Sequence, residues 1–204
     1  MHPYVTDSRE RDIVPLFIAA LSIVCGWTLN RILASYVTRD LWWIDVPSVF
    51  GFYKMIYTIF DNHIWRWPMF RKIGLVKIPD LNGRWRGYVS SSFDKTATTK
   101  SVVVNIRQSW TRMSIKLQTE TSQSHSLIGS ILTEQPAGIT MSYEYINEPK
   151  PNAPDTMHSH RGTARLMVLN RGNILAGEYY TGKDRLNYGL IHLERSQMKH
   201  VNDE

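Results

Sequence analysis

The sequence predicts an all-β domain, an eight-stranded up-and-down β-barrel, preceded by a hairpin of two transmembrane helices. Three observations predict it. Residues 13–60 are strongly apolar and aromatic, unlike the rest of the chain. From Gly83 onward apolar residues recur with a period of two, the signature of half-buried strands. Glycine, proline and asparagine clusters cut that stretch into short segments at the spacing of a barrel or sandwich.

The chain has 204 residues, enough for one ordinary domain and an appendage. The net charge of +6 divides evenly: residues 1–77 hold nine Lys/Arg against six Asp/Glu, and residues 78–204 hold fifteen against twelve. No dense basic run occurs, which argues against a polynucleotide partner. A mildly basic domain still attracts a small anion or an anionic leaflet. The single cysteine, Cys25, lies in the first apolar stretch and reads as a small buried hydrophobe. With one cysteine there is no intrachain disulfide.

The first span runs over 13–33 and carries no charge from Ile13 to Leu29. It meets the roughly 20 residues that a crossing helix needs. The competing reading is a cleaved signal peptide. Against it, Arg9-Glu10-Arg11-Asp12 is not a positive n-region, and no small-x-small site follows. The second span runs over 41–60 and contains Asp45, Pro47, Gly51 and Lys54. Trp42 and Trp43, which open it, and Trp65 and Trp67, which follow it, resemble interfacial belts. An interfacial or re-entrant segment is the alternative. Arg66, Arg71, Lys72 and Lys77 follow this span, and Arg9 and Arg11 precede the first. The positive-inside rule therefore expects both termini in the cytoplasm. Association with other copies would shield Lys54, Asp45 and Asn30.

The expected organisation is an N-terminal cytoplasmic segment (1–12), two spans (13–67), a linker (68–81), the barrel (82–196) and a flexible tail (197–204). The strands fall at 83–92, 100–108, 112–120, 125–134, 139–147, 160–170, 174–181 and 187–195. Alternation turns Val102, Val104 and Ile106 inward, then Met113, Ile115 and Leu117. Met141, Tyr143 and Tyr145 follow, as do Gly162, Ala164, Leu166 and Val168, and finally Gly189, Ile191 and Leu193. Lys116, Gln118, Glu144 and Arg165 take the outer face. An eight-stranded barrel holds packed side chains or one small ligand.

Up-and-down topology assigns each loop to an end. The loops after the first, third, fifth and seventh strands lie at the mouth far from the membrane. Inward residues there are Ser91, Tyr145, His160, Tyr179, Thr181, Arg185 and Asn187. Trp85 lies at the base, as a plug. Arg suits a phosphate, Tyr suits base stacking, and Thr or Asn suits base edges. The set fits a phosphorylated, base-bearing small molecule. The loop 148–159 holds Pro149, Pro151 and Pro154 and is long enough to act as a flap.

No catalytic motif occurs: no P-loop, dinucleotide fingerprint, HExxH or GxSxG is present. A non-enzymatic protein without a metal or cofactor is expected. His158 and His160 lack a third nearby ligand for a metal. Glu144 and Glu178 read as outward surface residues. Tyr143, Tyr145 and Tyr179 would each serve as ordinary barrel filler, and Arg185 alone as a solvated turn residue. The functional reading rests on the group.

The segment Ile78-Pro79-Asp80-Leu81-Asn82-Gly83-Arg84-Trp85-Arg86-Gly87-Tyr88-Val89-Ser90-Ser91-Ser92 follows a pair of spans. Gly177-Glu178-Tyr179-Tyr180 and Tyr188-Gly189-Leu190-Ile191-His192-Leu193 come later. This arrangement resembles the two-transmembrane, β-strand-rich effectors of bacterial cyclic-oligonucleotide antiphage signalling (CBASS). The resemblance implies an antiphage effector of the bacterial inner membrane whose barrel binds a cyclic dinucleotide. It also implies a homo-oligomer on activation and spans that act on membrane lipids in abortive infection. A cyclic dinucleotide is large for a filled lumen, so binding is expected at the mouth. The alternatives are a membrane-tethered, lipocalin-like carrier of a lipid or other apolar ligand, an enzyme acting on lipid head groups, and a structural anchor for another protein.

Overall fold

The computed structural model describes residues 1–36, 42–92, 99–154, 157–183 and 186–196, with residues 42–46 described by backbone alone. The chain divides into two compact units, Ser8–Lys77 on one side and Met1–Asp7 with Ile78–Glu204 on the other.

In the Ser8–Lys77 unit, helix α1 spans Glu10–Ala34 and α2 spans Trp42–Asn62. At 1.5 Å per residue, α1 is about 37 Å long, enough to cross a hydrocarbon core of about 30 Å. Among the described residues it is the one helix long and apolar enough to do so. Val14, Ile18, Ser22 and Gly26 recur every four residues and form its buried stripe. A Cβ on Gly26 would lie 2.7 Å from a Val49 methyl, so glycine here lets α2 approach closely. Leu16, Phe17, Ile23, Val24 and Trp27 point outward, each 57–71% exposed. Such a surface needs lipid or protein around it. The Ser22 and Thr28 hydroxyls donate to the carbonyls four residues back, at 2.6 and 2.8 Å, and so are satisfied within the helix. A short helix, α3 (Pro68–Lys72), ends in Arg71 and Lys72.

The other unit is a closed barrel. Its strands are β1 (His2–Thr6), β2 (Gly83–Ser90), β3 (Thr99–Gln108), β4 (Arg112–Gln118), β5 (Ser122–Leu132), β6 (Thr140–Pro149), β7 (His160–Leu169), β8 (Ile174–Thr181) and β9 (Tyr188–Arg195). From β2 to β9 each strand runs antiparallel to the next, and β9 closes onto β2. The expected all-β barrel is therefore present, with nine strands where eight were expected.

The ninth strand is the N-terminus. Near the mouth β4 and β5 pair directly, with Lys116, Leu117 and Gln118 opposite His125, Ser124 and Gln123. Farther down they part, and β1 fills the gap. His2 and Pro3 pair antiparallel with Met113 and Arg112, while Tyr4, Val5 and Thr6 pair parallel with Gly129, Ser130 and Ile131. At the fork, the Ser126 hydroxyl accepts the Ile115 N–H (2.9 Å) and lies 2.7 Å from His2 Nε2. Five residues with a proline carry too little alternation to read as a strand, so the sequence did not reveal β1.

The base is solid. Tyr4, Trp85, Trp110, Met113, Ile131, Met141, Leu166 and Leu175 are all 0–2% exposed. Trp85 Nε1 donates to the Leu81 carbonyl at 3.0 Å. The Arg195 guanidinium lies 4.7 Å above the Trp85 ring and donates to the carbonyls of Asn82, Asp80 and Gly172. Trp85 thus fills the base as expected.

Candidate functional site

Above the plug, the barrel holds a cavity of about 120 Å³ that opens at the other end. Up-and-down alternation places the ends of β2, β4, β6 and β8 and the starts of β3, β5, β7 and β9 around it. Six of the seven expected residues line it: Ser91, Tyr145, His160, Tyr179, Thr181 and Asn187. Arg185 lies outside the described residues, as does the tail over 197–204.

Glycines make room for the tyrosines. A Cβ on Gly162 would sit 2.4 Å from the Tyr145 hydroxyl oxygen, and one on Gly189 would meet the Ser90 carbonyl oxygen at 1.9 Å as well as the Tyr179 ring at 2.7 Å. Tyr143 and Tyr145 hold their ring centroids 6.1 Å apart. Tyr143 is buried, and burial raises its phenol above the ordinary value, so it stays protonated and can donate.

Thr181 has a positioning role. Its hydroxyl donates to the Asn187 carbonyl (3.0 Å) and accepts the Asn187 N–H (2.7 Å), closing the β8–β9 loop that carries residue 185. In that loop Leu186 adopts a left-handed backbone, φ 49°. His160 Nδ1 lies 3.0 Å from the His158 carbonyl.

The cavity also contains residues that the sequence reading left out. Lys100, Leu117, Thr119, Thr121, Ser122 and Ser124 form the β3–β5 wall, and Asn147 and Met157 join from the other side. The signal was there. Lys100 shares its parity with Val102, and Asn147 with Tyr145. The β4–β5 turn belongs to the mouth by the same loop rule. That turn is tied together: Thr119 Oγ1 accepts the Ser122 N–H at 2.9 Å and lies 3.0 Å from Ser122 Oγ. The start of the proline-rich loop is fastened to it. The Lys150 N–H donates to the Thr121 carbonyl at 2.9 Å, and Lys150 Nζ donates to the carbonyls of Thr119 and Glu120.

Among the described residues, Lys100 and His160 line the cavity and no carboxylate does. The arrangement therefore offers a cation, hydroxyls, amides and aromatic faces. It can hold an anionic ligand with ring systems.

Two family models match this chain. One, the Cap15 cyclic dinucleotide receptor domain, covers residues 76–195, and the other, Cap15 TM helices, covers residues 13–66. The chain is 27% identical over 194 residues to CD-NTase-associated protein 15 of Yersinia aleksiciae, spanning 92% of this chain and 89% of that protein. It is 29% identical over 167 residues to the protein of the same name from Staphylococcus schleiferi, spanning 79% of this chain and 88% of that protein.

Proposed function

Because the chain belongs to the Cap15 family, with the receptor domain on its barrel and the TM segment on its helices, we propose that it is a CBASS effector switched by a cyclic dinucleotide. The ligand binds at the barrel mouth, through Ser91, Tyr145, His160, Tyr179, Thr181, Arg185 and Asn187. Tyrosine rings stack the bases, while Lys100 and Arg185 meet the phosphates. The protein acts by binding and not by catalysis.

The observation that carries this reading is the contrast between the ends of the barrel. The base is filled by Trp85 and its neighbours, while the mouth combines hydroxyls, amides, tyrosines and a lysine with the apolar side chains of Val89, Leu117, Met157 and Ile191. An apolar-ligand carrier needs a deep, open, apolar lumen. The cavity's 120 Å³ is also below the roughly 300–1,000 Å³ of pockets that swallow a whole drug-sized ligand. Most of a cyclic dinucleotide therefore stays at the rim.

Both helices cross the bacterial inner membrane, with both termini in the cytoplasm, and ligand drives copies together until the bilayer is disrupted. Lys54 supports association, because it is exposed on α2 among outward apolar side chains and costs free energy there unless shielded. Ligand shifts the population only by its differential affinity for the two states, and about 5.5 kcal/mol moves it from 1:99 to 99:1.

The test is dye release from liposomes carrying the full-length protein. Release on addition of one cyclic dinucleotide and not others supports the proposal. Release without ligand, or none with any ligand that binds, contradicts it.

A further inference from the structure

Three polar side chains in the cavity differ from the rest. Ser124, Tyr143 and Asn147 are 6%, 5% and 8% exposed, and none makes a side-chain hydrogen bond among the described residues. Thr119 is engaged with Ser122, Thr181 with Asn187, and His160 with His158, whereas Thr121 and Tyr179, which also make no side-chain hydrogen bond, are half-exposed. Ser124 and Asn147 stand directly opposite each other on β5 and β6, and Tyr143 lies on the same face of β6 as Asn147. The residues are largely buried, yet their polar atoms open onto the cavity, which leaves three hydrogen-bonding groups on one wall available to a partner there.

Their chemistry and the available space define that partner. The Asn147 amide presents a donor and an acceptor side by side, and the two hydroxyls can each do either. That is the complement of a nucleobase edge. The cavity of about 120 Å³ is comparable to the roughly 150 Å³ cavity that holds one benzene ring. Leu117 and Ile191 also line it and supply apolar surface for ring faces.

We infer that Ser124, Tyr143 and Asn147 form a base-reading subsite, into which one nucleobase of the ligand inserts edge-first while the phosphates remain at the rim. This inference rests on the cyclic dinucleotide reading above. It makes these three residues the determinants of base preference, whereas the rim determines affinity for the shared phosphate ring. The competing occupant is a structural water bridging the three groups.

The two occupants predict different effects on the ligand-free protein. A structural water is part of the fold, so losing its partners lowers stability. A ligand subsite leaves polar groups unpaired until ligand arrives, so removing them costs no fold stability.

The experiment uses the full-length protein in detergent micelles, with Tyr143→Phe, Ser124→Ala and Asn147→Leu. Melting temperature is measured without ligand, and binding is measured against cyclic dinucleotides that differ only in their bases. Tyr143→Phe removes a single oxygen, which keeps the test available if Asn147→Leu does not fold. The expected result is an unchanged or raised melting temperature, a loss of about tenfold or more for the preferred ligand, and a flattened preference among bases. Unchanged base preference in Tyr143→Phe and Ser124→Ala overturns the inference, as does a lowered melting temperature with preference intact. If the wild-type protein binds no member of the panel, the cyclic dinucleotide reading fails and this inference fails with it.

Discussion

Tyr145 on β6 stands directly opposite Gly162 on β7, and its ring occupies the space where a side chain at 162 would be: a Cβ there would lie 2.4 Å from the hydroxyl oxygen and 2.5 Å from the ring carbon that bears it. The glycine is what lets the tyrosine lie across the cavity wall. Gly162→Ala therefore pushes Tyr145 out of place. The expected outcome is overpacking that costs about 1–3 kcal/mol, with weakened ligand binding. Calorimetric melting and a binding titration check both; a Cβ at 162 also meets the Tyr180 carbonyl oxygen at 2.5 Å, so adding Tyr145→Phe is expected to relieve only part of the overpacking.

At the other end, Arg195 stacks on Trp85 and donates to three backbone carbonyls. Arg195→Ala removes those charge-assisted bonds and leaves three part-buried carbonyls without this donor. A loss of about 2–4 kcal/mol is expected, with ligand preference retained because the plug is remote from the mouth. Denaturant unfolding and the ligand panel measure the two effects separately.

The barrel is incomplete without the residues before the first span. β1 is the strand that fills the gap between β4 and β5, so a fragment starting at Ile78 leaves both ladders open toward the base. Unpaired edges invite association. Deletion of residues 1–7 is expected to lower the barrel's melting temperature and to cause ligand-independent aggregation, followed by light scattering. Supplying the missing segment as a covalent extension should restore both.

Asp7, immediately after β1, anchors that strand to the end of β5. Burial alone would raise its pKa. The Thr133 N–H, the Glu134 N–H and the Thr133 hydroxyl outweigh burial and hold it below the ordinary 3.8. A depressed folded-state pKa stabilises the fold above the unfolded value, and that contribution is lost as pH falls through the folded value. Melting temperature should thus fall below about pH 4, and Asp7→Asn should flatten that limb while lowering stability at pH 7.

Leu186 holds a left-handed backbone in the β8–β9 loop with its side chain exposed at the mouth. For a bulky residue that conformation costs about 1–2 kcal/mol. Leu186→Gly is expected to leave stability unchanged or slightly raised, because relieved strain offsets added chain entropy. An equilibrium unfolding curve decides it.

Much of this architecture was legible because alternation is strict where a closed barrel demands it. Val102, Val104 and Ile106 face inward as their parity requires, and Lys116 and Arg165 face out. The same parity brought Ser91, Tyr145, His160, Tyr179, Thr181 and Asn187 to one mouth. What escaped had physical reasons. β1 is short, carries a proline and pairs across the whole membrane segment. Thr119 and Ser122 are small polar residues flanking a tight turn, and Ser124 lies in β5 just beyond it, where polar side chains give no alternation to mark the cavity-facing side. Lys100 was passed over because an inward lysine breaks the apolar pattern, although its parity was plain. Asn147 was hidden in the same way.

The most direct test of the account is the heat of binding of the full-length protein, in micelles, titrated with a panel of cyclic dinucleotides, for wild type and Tyr179→Ala. Micromolar or tighter binding of at least one member is expected, roughly tenfold or more weaker when the tyrosine face is removed. A folded protein that binds no member of the panel, or binds one equally well without Tyr179, would contradict the barrel mouth as the receptor site.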